Sequence, residues 1–553
     1  MRAATAAAAA VAAGLIAALV AVPLVSLGRI AADDGLTGIW RALSVPASRV
    51  AVLHTVAVAA AVTVLAVAAG TALALAIERR PARSRLVPRL LVAGPLVIPE
   101  FVLGFAWSQA YGPAGLSDRL AGITVPGLFG PVGIVAVLTI YGLPLAYLAV
   151  TAGLAARADP ALERAARAAG AGGWTTLRTI TLPLLRVPLL GAAALVFVTA
   201  AGSFAVPEVL GAPAGFATMS TLVYTDLALS ASPAAFTELT VVALAMVALV
   251  LLALGPLDLW LAKLRPSSRP DTPPAVRVRT TAGDRVVTVI VWGYALLAAG
   301  IPMLTLILTA LTRGPGLAPV PANWTLANFA AGFSGGAGTA LLRSAGLALA
   351  AAILAPLLGS LVAGLARGRW RGPLATLVTL AYAIPGSALA VGIIIGYGRW
   401  LDGSVLIILL AYVAKFWVFG HRPVQAALDR LPGGLTRAAR LSGARAGTAA
   451  RTVLLPPLTV AATTAAGLVF ILAFHELTMS TILYGPGTET FAVVIMNQQD
   501  LGGVGATAAL ALVLTVPVVT VAALITWLGR RPGSSAGQPA ALTLDIPNEQ
   551  RFP

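Results

Sequence analysis

The chain has 553 residues, 59% hydrophobic and only 10% charged, with a mean hydropathy of +0.92; a soluble domain carries roughly a quarter charged residues, so a water-facing surface is excluded. It has no Cys, and His54, His421 and His475 stand far apart, which excludes a disulfide scaffold, a thiolate metal site and cysteine catalysis. The formal charge of +17 would suggest nucleic acid in a soluble chain, but here it has to be placed around membrane spans.

A helix needs about 20 apolar residues to cross a ~30 Å hydrocarbon core, because every backbone N–H and C=O must be bonded within the segment. Twelve stretches qualify in chain order: 5–28, 50–77, 87–109, 131–155, 184–207, 237–262, 286–312, 339–366, 373–398, 404–421, 457–479 and 504–529. The first, an Ala-rich run after Met1-Arg2, has a second reading as a cleaved signal peptide. Cleavage would leave eleven spans and break an even symmetry, so it is taken as the first transmembrane helix. The expected fold is an all-α polytopic membrane protein of about 12 transmembrane helices, arranged as two six-helix repeats. With the N-terminus inside, 29 of the 37 basic residues flank spans on the inner side and seven lie outside. The positive-inside rule therefore selects N-in and C-in, which turns the +17 into an orientation signal and leaves no reason to invoke nucleic acid.

Several places interrupt this series. In the third span Val97-Ile98-Pro99-Glu100, and in the ninth Ala383-Ile384-Pro385-Gly386, put a Pro inside an apolar run. A Pro breaks the hydrogen-bond ladder and permits a hinge in a pathway helix, or is simply tolerated. Glu208 follows Pro183 by 25 residues and Glu476 follows Pro456 by 20. At about 1.5 Å per residue either interval crosses most of the core, so both carboxylates are expected near the outer face. There they line an outer gate or meet a binding protein with His475 beside them, or sit as helix-end carboxylates in headgroup water. Lys415 falls within the tenth span and is expected to snorkel or to meet a carboxylate or carbonyl. Residues 263–285 are polar and Pro-rich near the midpoint, and read as a cytoplasmic linker between domains 1–262 and 286–529. The tail 530–553 is polar and Gly/Ser/Pro-bearing, the composition of a disordered segment.

The longest inner loop of each half repeats. Leu162-Glu163-Arg164-Ala165-Ala166-Arg167-Ala168-Ala169-Gly170 is followed after nine residues by Ile180-Thr181-Leu182-Pro183. Leu435-Thr436-Arg437-Ala438-Ala439-Arg440-Leu441-Ser442-Gly443 is followed after nine by Val453-Leu454-Leu455-Pro456, at a constant offset of 273. Agreement at so many places is a repeat rather than chance. Each copy reads as a short Ala/Arg helix with a small-residue face, a Gly where the backbone turns out of it, and a Leu-Pro that closes the stretch before the next span. One such helix could lie on the inner leaflet; two with identical spacing suit docking to a soluble partner.

The pattern Ala-Ala, three residues, Gly, nine residues, Ile/Val, one residue, Leu-Pro resembles the EAA loop of the permeases of ATP-binding-cassette importers of the type I fold, with loops at 157–183 and 422–456. The resemblance covers nearly the whole chain, and implies that each loop is a coupling helix in a cleft of a cytoplasmic ATPase. The implied residues are Glu163, Ala165, Ala166, Gly170, Ile180, Leu182, Pro183, Arg437, Ala438, Ala439, Gly443, Val453, Leu455 and Pro456. The acidic position departs from the family pattern, displaced to Glu163 in the first loop and replaced by Thr436 in the second, which questions a salt bridge from the second. Fusion of two domains, with Ser203 to Gly211 and Phe474 to Leu483, resembles iron(III) permeases and next the thiamine and phosphonate types. The implied partners are two copies of an ABC ATPase subunit, an extracytoplasmic solute-binding protein and the bilayer. The chain has no Gly-x-x-x-x-Gly-Lys-Ser/Thr loop, and its two lysines, Lys263 and Lys415, stand in no such setting. ATP and Mg are thus expected on the partner, with no cofactor, no metal and no catalytic residue on this chain. Fe(III) would want an oxygen-rich cluster, and none is evident in the spans. A twelve-helix secondary transporter is the rival reading, since the basic segment Glu78 to Arg85 faintly resembles a major-facilitator loop.

Overall fold

In a computed structural model the described residues are 10–33, 35–80, 84–157, 160–230, 232–263, 281–366, 371–431 and 434–528. Most of the 263–285 linker and the whole 530–553 tail lie outside them. Among the described residues the fold is helical, with one isolated bridge between Thr312 and Trp324.

Among the described residues ten helices are long and apolar enough to span a membrane, and two bent pairs, each taken as one span, bring the total to twelve. In the first half these are α1 (Ala10–Ala32), α2 (Pro46–Glu78), α3 (Leu86–Val97 and Glu100–Ala121), α4 (Pro131–Ala155), α5 (Gly173–Ala201) and α6 (Ala234–Gly255). In the second they are α7 (Arg285–Leu311), α8 (Ala337–Leu365), α9 (Leu374–Ala383 and Gly386–Leu401), α10 (Val405–Asp429), α11 (Gly447–Phe474) and α12 (Val504–Trp527). The expected order of two six-helix repeats is therefore present. The third and ninth spans are not straight, however: their limbs bend by 97° and 99°. The cause is local, because Pro disfavours helical backbone in the residue before it. Ile98 accordingly goes extended (φ −80°, ψ 128°) and Pro99 and Pro385 start new limbs. The tenth span is longer than 404–421, so Arg422 and the residues up to Asp429 continue its helix rather than belonging to the loop. The fifth and eleventh begin earlier than expected, at Gly173 and Gly447, so the Leu-Pro pairs lie within continuous helices.

What lets those helices run through a Pro is a π turn. Leu177–Thr181 and Ala450–Leu454 precede Pro183 and Pro456, and Ala17–Ala21 and Leu296–Gly300 precede Pro23 and Pro302, always by the same two residues. One extra residue in the turn absorbs the missing N–H.

The core of each half is a triangle of its second, fourth and fifth spans, α2 with α4 and α5, and α8 with α10 and α11. Two close approaches fix their register. A Cβ on Gly70 would lie 2.9 Å from the Tyr147 amide nitrogen, and one on Gly359 2.3 Å from that of His421. Both glycines also face a carbonyl, Leu143 and Trp417 respectively, so α4 and α10 align at an offset of 274, which matches Tyr141 with Lys415. The first span of each half crosses over. α1 packs on the second limb of α9, and α7 on the second limb of α3, while each also meets the last span of its own half.

Candidate functional site

Two regions contain the residues singled out by sequence. At the loop end, Pro160–Ala168 and Leu435–Leu441 form the short helices, followed by Gly170 at φ +88° and Gly443 at φ +86°. These positive φ values are open to Gly at little cost. The same hydrogen bond closes each turn, from the Ala171 N–H to the Ala166 carbonyl at 2.9 Å and from the Ala444 N–H to the Ala439 carbonyl at 3.0 Å. Ala165, Ala438, Pro183, Leu455 and Pro456 are exposed, while Ala166, Ala439, Ile180, Val453 and Leu182 are partly covered. Around them Leu162, Trp174, Leu435 and Leu441 are exposed apolar side chains. The side chain of Arg437 lies outside the described residues. Glu163 turns away from this face. It accepts from the Thr181 hydroxyl at 2.7 Å, from Arg79 at 3.3 Å and from Arg167 at 3.4 Å.

The second region surrounds the two breaks. After Pro99, Glu100 opens the second limb of α3 and accepts a hydrogen bond from the Ser203 hydroxyl. Gly202, next to Ser203, is one contact between halves, since a Cβ there would lie 3.8 Å from the Pro385 Cβ. Across the interface the Lys415 ammonium donates to the Ile384 carbonyl at 2.5 Å, at the end of the first limb of α9. A lysine at helix-end carbonyls meets the negative end of the dipole, which gives Lys415 the carbonyl partner named among its sequence alternatives. Glu476 is buried and fully engaged: its carboxylate accepts the Met479 amide at 2.8 Å, the Ser480 amide at 3.0 Å and the Ser480 hydroxyl at 2.9 Å. The Ser480 and Tyr412 hydroxyls share a 2.7 Å hydrogen bond. Nδ1 of His475 is buried, with no hydrogen-bond partner among the described residues.

Glu208 and Glu476 are not counterparts. α5 and α11 end at Ala201 and Phe474, so the match of Glu476 is Ser203, and Glu208 lies in a π turn, Pro207–Gly211, beyond it. Each half puts one carboxylate at this junction from a different element: Glu100 with Ser203 in the first, Glu476 facing a bent span that carries Gly386 in the second. Glu208 instead shares its surroundings with Asp500 of the other half. Burial first, then the Asp500 charge, pushes the Glu208 carboxyl up to about 7. Burial likewise raises Asp226, to about 6, with the Glu238 charge adding to it. Sequence reasoning quoted Glu100, Thr181 and Ser203 but gave none of them a role of its own, and missed Tyr412. The usable signal was the pairing of Glu100 with a broken helix.

Among the described residues no group of three or more His, Cys, Asp and Glu side chains is placed to hold a metal ion.

Two six-span halves, each with a bent third span and the same loop before its fifth, define an internally duplicated multi-pass membrane protein. The chain belongs to the family of binding-protein-dependent transport system inner membrane components, whose profile matches residues 66–269 and again 355–533. It is 27% identical over 503 residues, 86% of this chain and 85% of the other, to a probable ABC transporter permease protein, y4fN, of Sinorhizobium fredii. It is 27% identical over 225 residues, 38% of this chain and 84% of the other, to a putative 2-aminoethylphosphonate transport system permease protein, PhnV, of Salmonella choleraesuis. It is 35% identical over 191 residues, 34% of this chain and 69% of the other, to the molybdenum transport system permease protein ModB of Mycobacterium tuberculosis.

Proposed function

We propose that this chain supplies both transmembrane domains of an ABC importer and moves a small solute, delivered by an extracytoplasmic binding protein, into a bacterial cell. The observation that carries this reading is the duplicated loop, with its Gly turn, π turn and exposed small-residue face, at matching places in both halves. Each loop would dock one copy of a cytoplasmic ABC ATPase, with N- and C-termini on the same side and the basic residues around them. Closure of the two ATPase copies on ATP would draw the loops together and open the halves outward; hydrolysis would reset them inward. The chain itself is no enzyme in this scheme, and ATP and Mg stay on the partner.

For the cargo, the segments Ser203 to Gly211 and Phe474 to Leu483 favour ferric iron. A phosphonate or another small solute is the second reading, favoured by the relative PhnV. Reconstitution in proteoliposomes with a cognate ABC ATPase and binding protein decides the class: loaded binding protein should stimulate hydrolysis and solute entry. Transport by the chain alone on a proton gradient would overturn the importer reading. Uptake of radiolabelled Fe(III), 2-aminoethylphosphonate and thiamine by the same system then separates the cargoes.

A further inference from the structure

We propose that Glu163 is a positioning residue that makes the first coupling loop one rigid body with the feet of α2 and α5, through a carboxylate–hydroxyl pair that the second loop does not repeat. The inference rests on the coupling reading for its meaning, but its geometry does not depend on it. Glu163 joins three elements at one carboxylate: its own helix Pro160–Ala168, Arg79 just past the end of α2, and Thr181 in the π turn of α5. The arginines contribute little, because their side chains are 53% and 49% exposed and exposed ion pairs are weak. The hydroxyl is different. Thr181 is buried, and a hydrogen bond to a carboxylate away from water is among the stronger kinds.

Three other threonines of α5 behave differently. Thr176, Thr179 and Thr199 each donate back to the carbonyl four residues earlier, the ordinary habit of a helical threonine. Thr181 instead directs its proton out of the helix to Glu163. At the matching places 273 residues on, the sequence has Thr436 in place of the carboxylate and Leu454 in place of the hydroxyl donor. A pull on the first loop would therefore reach α5 through a fixed joint that the second loop lacks at those places.

The chain has no cysteine, so spin labels can be placed at will. Labels on Ala168→Cys and Leu190→Cys read the first loop against α5, and labels on the matching Leu441→Cys and Thr463→Cys read the second, in nanodiscs without ATPase, by pulsed electron paramagnetic resonance. The first pair should give the narrower distance distribution. Glu163→Ala and Thr181→Val should each widen it about twofold, Thr181→Ser should keep it narrow, and Thr436→Glu with Leu454→Thr should narrow the second. Unchanged width in both Glu163→Ala and Thr181→Val, at unchanged melting temperature, would overturn the proposal, as would a wild-type second pair as narrow as the first. With the ATPase added, Glu163→Ala should lower solute moved per ATP hydrolysed while the ATPase still co-purifies. If no ATPase binds at all, the importer reading fails, and the distance distributions still decide the tie.

Discussion

Glu208 shows how an ionisable group here acts on the fold. Its carboxyl binds its proton more tightly in the folded chain than in the unfolded one, because burial and Asp500 both disfavour the charge. A raised carboxylate pKa means that the native state holds more protons between the ordinary glutamate value and about 7, so stability falls as pH rises through that window. In detergent, the melting temperature should drop from pH 5 to pH 8, and Glu208→Gln should flatten that drop. A profile unchanged by the substitution would remove Glu208 as its source. A second residue-scale test concerns Gly359. Its added Cβ would meet backbone nitrogen at 2.3 Å, which no side-chain rotation relieves. Gly359→Ala should cost about 1 to 3 kcal/mol as overpacking, read as a lower melting temperature. Neither residue was legible in sequence in this role: Glu208 was read as a pair with Glu476 rather than with Asp500, which no spacing connects to it, and a Gly in an Ala-rich helix carries no mark of what faces it.

At the scale of elements, the crossed first spans are held by the carbonyls their own π turns abandon. The last π bond of α1 runs from the Val22 N–H to the Ala17 carbonyl, and Pro23 then has no N–H to give Ala18. The Tyr397 hydroxyl of α9 supplies the donor at 2.5 Å. In α7 the Ile301 N–H bonds to the Leu296 carbonyl, Pro302 follows, and Tyr111 of α3 donates to Leu297 at 2.7 Å while Trp107 donates to Ala298 at 2.9 Å. Tyr111→Phe with Tyr397→Phe should lower stability by about 0.5 to 1.5 kcal/mol per lost bond. The measurement that isolates it is the co-purification of two half-chains, 1–270 and 271–553, expressed together; weaker recovery of the tyrosine variant is expected, and equal recovery would show that the hydroxyls do not hold the halves together. Sequence reading placed the spans because hydropathy reports length directly. It also marked Pro99 and Pro385 as breaks, and the helices bend there by 97° and 99°. It did not show that Pro183, Pro302 and Pro456 are absorbed by π turns, because hydropathy does not register the one extra residue in the turn.

For the molecule as a whole, the repeat was the most legible feature, because two loops with identical spacing need no structure to be seen. The two acids were paired against it: unequal distances of 25 residues from Pro183 and 20 from Pro456 matched Glu208 with Glu476, whereas the offset of 273 and the ends of α5 and α11 both match Ser203 with Glu476. The duplicated fold thus hides an exchange of roles, with the carboxylate contributed by the bent span in one half and by the chain leaving the fifth span in the other. The orientation proposed for the chain predicts that Ala168→Cys, in the first coupling loop, reacts with a membrane-impermeant maleimide only in inverted vesicles. Ala114→Cys, at the opposite end of α3, should react in intact cells. The reverse pattern would invert the topology and separate the loops from any cytoplasmic ATPase.

The crossing of α1 onto α9 also sets a timetable for assembly. The donor for the Ala18 carbonyl is 379 residues away, and at roughly 5 to 20 residues per second a ribosome needs about 20 to 75 s to make it. Throughout that interval α1 is in the membrane with an orphaned carbonyl and without the neighbour that will cover it. α7 has no such wait, since Tyr111 and Trp107 have been made before Leu297 and Ala298 emerge. The newborn first half is therefore an unfinished object, and the second half serves as the late lock on a helix synthesised first.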